Sequence, residues 1–157
     1  MPSRSRESVI ITPGLHEVPL QLSKSARTTP PVAGSIHPET GAKTREKAFS
    51  IPLHLEQMCR FIDHFHPDLY MTPGFEKLAK FMDVVQNYLP EEWNLELAWI
   101  MVPIGKQLWH TLGIVICGNR TEEEMQKQYD DKLIKRIQDI LNVKTPPGWY
   151  FVTEEYY

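Results

Sequence analysis

Asn94-Leu95-Glu96-Leu97-Ala98-Trp99-Ile100-Met101-Val102-Pro103-Ile104-Gly105-Lys106-Gln107-Leu108-Trp109-His110-Thr111-Leu112-Gly113-Ile114-Val115-Ile116-Cys117 is the stretch that decides the fold. From Asn94 to Val102, Leu95, Leu97, Trp99 and Met101 alternate with Glu96, Ala98, Ile100 and Val102, a period of two that sends neighbours to opposite faces of a strand. Pro103-Ile104-Gly105-Lys106 supplies turn residues. Leu108 to Cys117 then repeats the period, with Leu108, His110, Leu112, Ile114 and Ile116 on one face. The other face of this second strand, with Trp109, Val115 and Cys117, is also largely apolar. The expected element is therefore a β-hairpin at the centre of a sheet rather than a half-wetted edge.

Working outward, the spacing changes from two to three and four. Leu55, Met58, Cys59, Ile62 and Phe65 fall on one side of a helix that His66-Pro67 ends. Thr72 as N-cap and Pro73 at the first helical position predict a second helix, with Phe75, Leu78, Ala79, Met82, Val85 and Leu89 on one face and Pro90 as its stop. After the hairpin, Thr121-Glu122-Glu123-Glu124 has the form of a capping box. It opens a helix whose apolar stripe is Met125, Tyr129, Leu133, Ile137, Ile140 and Leu141. Pro146-Pro147-Gly148 breaks that helix, and Trp149 to Glu154 reads as a last strand. The order α-α-β-β-α-β predicts an α+β domain over residues 51–157, with helices packed on one face of the sheet in a tautomerase-like or ferredoxin-like sandwich.

Residues 1–50 differ in kind. They hold 7 of the 17 Lys and Arg but only 4 of the 20 acids, a balance of +3, and six of the 13 prolines. Val9-Ile10-Ile11 is their one short apolar run, so they cannot bury enough surface to offset the entropy of ordering. The expectation is an irregular, basic, Pro-rich arm with one strand near Ser8 to Thr12. The remainder carries −6, which gives no basic footprint for nucleic acid or an anionic membrane. Cys59 and Cys117 are too few for a disulfide framework, and no signal-like start precedes them, so a reducing, cytoplasmic setting is expected.

Three residues and one cluster stand out for chemistry. His110 lies on an apolar strand face, where partial burial tunes an imidazole toward neutral pH and suits it to proton transfer; packing as a core histidine is the competing reading. Arg120 sits where a strand hands over to a capped helix, a natural place for a substrate carboxylate. Pro2, exposed as an N-terminal secondary amine once Met1 is removed, is a candidate general base. The cluster Asp63-His64-Phe65-His66-Pro67-Asp68 has metal-ligand residue types, but its helical spacing splits the imidazoles, so no metal is expected.

The segments Leu89-Pro90 with Leu95 to Pro103, His110 to Glu123, and Tyr129 to Glu155 together resemble the tautomerase superfamily, in particular its fungal cis-3-chloroacrylic acid dehalogenase-like members. The resemblance covers roughly residues 72–157. It implies β-α-β repeats assembled as a trimer, with sites at subunit interfaces for small carboxylates or keto-enols. By position, Arg120 matches a carboxylate-binding arginine and Glu155 an acid that positions water. One expected function is thus a cofactor-independent isomerase or hydratase that moves protons with His110, Glu155 or Pro2. The other is a non-catalytic adaptor whose arm and aromatic C-terminus form a protein-binding surface.

Overall fold

The computed structural model describes residues 17, 20, 22, 29–34, 40–41, 47–69, 74–89, 93–94 and 96–153. It is α+β, as expected, but the order begins with a strand. β1 (Lys47–Leu53) is followed by α1 (Leu55–Phe65), α2 (Gly74–Gln86), β2 (Leu97–Ile104), β3 (Gln107–Gly118), α3 (Glu122–Met125), α4 (Asp131–Leu141) and β4 (Gly148–Val152). The chain divides into two compact units: Met1–Pro19 with His54–Leu95 and Lys132–Lys144, and Leu20–Leu53 with Glu96–Asp131 and Thr145–Tyr157. The expected boundary at residue 50 therefore cuts through β1. The strand expected near Ser8 to Thr12, and the cap at Thr72 and Pro73, lie outside the described residues.

In the second unit the four strands do not lie open. They close into a small antiparallel barrel in the order β1-β3-β2-β4. β2 and β3 form the expected hairpin, in register from Leu97↔Ile114 to Ile104↔Gln107, around the two-residue loop Gly105-Lys106. Gly105 has φ 62°, the positive value a type II′ turn demands at its first loop residue. Pro103 pairs with Leu108, one residue in from the closing pair. Its missing N–H would have pointed away from β3, so the ladder loses no bond. Between Phe49 and Ser50 the β1–β3 register shifts by a residue, leaving Ile116 as a bulge that bends β3 around the barrel.

A four-strand barrel has a narrow bore, which a few aliphatic side chains and one tyrosine fill. Ala48, Ala98, Ile100, Val102, Val115 and Tyr150 form the buried interior cluster. At Gly113 an added Cβ would come within 2.7 Å of Ile100 Cδ1 and 3.0 Å of Ser50 Oγ, so no larger residue fits there unless a neighbour moves. On the outer face Phe49 packs on Trp149 with ring centroids 5.3 Å apart. The buried indole donates from Nε1 to Gln128 Oε1 over 3.1 Å. That bond accounts for a second departure from expectation. The helix that Thr121 opens stops after one turn, tightens into a 3-10 turn at Gln126–Tyr129 and restarts at Asp131. Gln128 is turned inward to satisfy the indole, while Tyr129, expected on the buried stripe, is 66% exposed.

In the first unit α1 is capped by His54, whose Nδ1 accepts from the Glu56 amide over 3.0 Å. Its buried face is Gln57, Met58, Phe61 and Ile62, rotated from the expected stripe so that Leu55 is exposed. Phe61 meets Phe81 of α2 edge-on at 5.4 Å. α4 ends on Asn142 with φ 53°, where the amides of Asn142 and Val143 donate to Asp139 and Gln138 carbonyls in a Schellman arrangement. Arg136 on α4 donates from Nε to the Tyr88 carbonyl at 2.9 Å, tying this helix to the end of α2.

Candidate functional site

The junction after β3 is built as the sequence suggests, with one difference. Thr121 caps α3 by accepting from the Glu124 amide over 3.0 Å. Glu124 was expected to reach back to the Thr121 amide. Its Oε2 instead accepts from the Gly118 amide at 2.6 Å, fastening the end of β3 to α3. Arg120 lies between them, with its side chain 47% exposed and Nη1 3.9 Å from the same Glu124 carboxylate. An exposed ion pair of this length contributes at most about 1 kcal/mol.

His110 lies near the other end of β3, exposed and in register with Met101. It is not on a buried face, because all four residues of Gln107–His110 are exposed and burial begins at Thr111. At roughly 3.3 Å per residue, about 25 Å of strand separates His110 from the end of β3 where Arg120 emerges. One chain does not bring these two side chains together. Pro2 and Glu155 lie outside the described residues. Asp63, from the acid-histidine cluster, is engaged by Lys77 Nζ at 2.9 Å, while His64 is exposed and the His66 amide closes α1 on Ile62. No group of His, Cys, Asp and Glu with the makings of a metal site occurs among the described residues. Cys117 is buried, with its Sγ 3.9 Å from the Met125 carbonyl, a packed thiol under α3.

Sequence reasoning missed the polar group that organises the barrel rim. Asn119, 1% exposed, follows β3. Its Oδ1 accepts from the Lys47 amide at 3.1 Å, and its Nδ2 donates to the Val32 carbonyl at 3.0 Å. The Gly34 amide donates in turn to the Asn119 carbonyl over 2.8 Å. One buried amide thus ties the start of β1, the end of β3 and the segment of residues 31–34. A surface recess of about 360 Å³ lies among Pro31, Val32, Ala33, Gly34, Lys47, Asn119 and Phe151. Lys47 extends its ammonium over the Phe151 ring, 4.6 Å from the centroid. No local spacing in the sequence announces this site, since its parts come from four separate segments.

A third feature is the far end of the hairpin. β1 pairs with β3 only as far as Leu53↔Leu112, and β4 with β2 only at Ile100 and Met101. The residues beyond, Val102–Ile104 and Gln107–Thr111, form a two-stranded ribbon, with an isolated bridge from Leu22 to Ile104 on its β2 side. Leu108 is 51% and Trp109 52% exposed on this ribbon.

Set against known proteins, the chain matches no protein-family model, no curated protein and no solved structure. Among the described residues no helix is long and apolar enough to cross a membrane.

Proposed function

We propose that this chain is a non-catalytic binding module whose β2–β3 ribbon is a contact surface for another protein. The observation that carries the reading is the half-exposed pair Leu108 and Trp109 on the β3 side of the hairpin, beyond the point where β1 stops pairing. Adjacent strand residues face opposite ways, so each side of the ribbon offers an apolar residue to water. Trp is enriched among the residues that dominate interface energies, and here it stands beside a second exposed apolar residue. The ribbon is held rigidly, because its type II′ loop and the barrel ladder fix its register. Preorganisation of this kind lowers the entropic cost of association.

A photocrosslinker placed at Trp109, with a second placed at exposed Lys127 as control, tests this in cell extract. The expected result is one predominant captured protein at position 109 and none at 127. Unlabelled wild-type chain should compete with the capture, and a Leu108→Ser/Trp109→Ser chain should not. The isomerase or hydratase reading, in which a tautomerase-like trimer takes a small carboxylate or keto-enol, requires His110 of one copy to approach Arg120 of another. Turnover of phenylpyruvate that Arg120→Ala abolishes would replace the binding reading with that one.

A further inference from the structure

We infer that the rim recess at Lys47 and Phe151 is a docking site for an acidic, extended peptide segment of another protein, with the peptide carboxylate on Lys47 and a neighbouring apolar side chain between Val32 and Phe151. The charge of the recess sets the chemistry. Among the described residues that line it, Lys47 is the one charged side chain and none is an acid. Among the described residues, the ammonium has the Phe151 ring as its neighbour and no carboxylate pairs with it. The ring face holds the cation in place while leaving its remaining N–H donors for an anion.

The walls suit a chain rather than a small free acid. Small ligands bind where most of their surface is enclosed. Here one wall is Val32, 87% exposed, on the irregular segment of residues 31–34, and Phe151 opposite is 38% exposed. The rim itself does not yield, because buried Asn119 ties the Val32 carbonyl and the Lys47 amide to one side chain. A carboxylate on an extended backbone meets a fixed ammonium, with an apolar slot beside it. This inference extends the binding reading to a second surface, and it stands or falls independently of the ribbon.

The test is a titration of the ¹⁵N-labelled full chain with the peptide acetyl-Ala-Leu-Glu-Phe-Ala-amide and with its Gln counterpart. Saturable amide shifts should centre on Gly34, Lys47 and Asn119, and the Gln peptide should bind about tenfold more weakly. Lys47→Met should weaken the Glu peptide by a similar factor, and Lys47→Arg should restore it. Val32→Asp, at an exposed position where folding is not at stake, should weaken binding by repulsion. Raising the salt from about 0.05 to about 0.5 M should weaken it too. Equal binding of the two peptides, indifference to Lys47→Met, or binding of free 3-phenylpropanoate as tight as that of the peptide would each overturn the inference. Shifts confined to Leu108 and Trp109 would also overturn it while leaving the ribbon reading intact.

Discussion

Gly113 and Ser50 face each other inside the barrel, and their smallness closes it. A methyl group at Gly113 would sit 2.7 Å from Ile100 Cδ1 and 3.2 Å from its Cγ1, so the fully buried Ile100 side chain would have to shift. Gly113→Ala should therefore cost about 1–3 kcal/mol, the usual range for an overpacked core, read as a lower urea midpoint with unchanged slope. Ile100→Val removes the clashing Cδ1, so the double variant should lose less than the sum of the two single changes, a coupling visible in a double-mutant cycle. Ser50 supplies the opposite test. Its Oγ is buried and has no hydrogen-bond partner among the described residues. Ser50→Ala removes an unsatisfied hydroxyl and should raise stability by about 1 kcal/mol in the same measurement. At this scale the sequence shows residue types but not who meets whom. Arg120 was legible as a cation at a strand-helix junction, and that is where it lies. The exposure of His110 was not legible, because its alternation with Leu112 and Ile114 continues past the point where β1 stops pairing.

Periodicity located the hairpin, α1, α2, α4 and the last strand, because in each the apolar spacing stands out from its flanks. β1 was missed although Phe49, Ile51 and Leu53 alternate with Ala48, Ser50 and Pro52. Its seven residues adjoin a basic, proline-rich stretch and contain a proline, both of which argue against a strand. Pro52 is tolerated because β4 pairs only with Lys47–Ser50, leaving β1 with a strand on one side at that point. The break between α3 and α4 was hidden for another reason: it depends on Gln128 bonding to an indole distant in sequence, which no local window contains. Two pairs of side chains give predictions for elements. Thr121→Ala should cost about 1 kcal/mol, as loss of an N-cap does. Glu124→Ala should cost more, about 1.5–3 kcal/mol, since its carboxylate also accepts the Gly118 amide. Thermal melts of both variants would check the ranking. Between α1 and α2, the Lys77 side chain is 6% exposed against Asp63. Asp63→Ala should cost about 2 kcal/mol, below the ~3–5 kcal/mol of a wholly buried pair because Asp63 is 30% exposed. Lys77→Met, which removes the buried charge and keeps the stem, should be the milder change by chemical denaturation.

The barrel is closed by strands from opposite ends of the described chain. β1 pairs with β4 from Lys47↔Phe151 to Ser50↔Gly148, and both units are assembled from discontinuous segments. Such non-local pairing has to form before any of its burial is realised, which makes the second unit all-or-none. A cut at residue 50, where composition alone places the edge of the folded part, removes Lys47–Ser50 and with them the pairing to β4 and half of that to β3. Trp149 and Tyr150, each 1% exposed, would lose the strand beside them. Deletion of residues 1–50 should therefore abolish the cooperative unfolding transition and expose the indole, seen as a red-shifted tryptophan emission. Deletion of residues 1–28 keeps β1 and the Pro31–Gly34 rim, and removes among other contacts the Leu22–Ile104 bridge, the packing of Leu22 on the barrel core and the Glu17 carboxylate on the Lys144 amide. That chain should unfold cooperatively with a loss of about 1–4 kcal/mol, the worth of a few partly exposed hydrogen bonds and one partly buried apolar side chain. The comparison also makes the functional test decisive, because binding lost in the longer deletion reports on the fold, whereas binding lost in the shorter one reports on the arm. If the longer deletion kept a cooperative transition, the barrel would not depend on β1, and the account of how its bore closes would have to be abandoned.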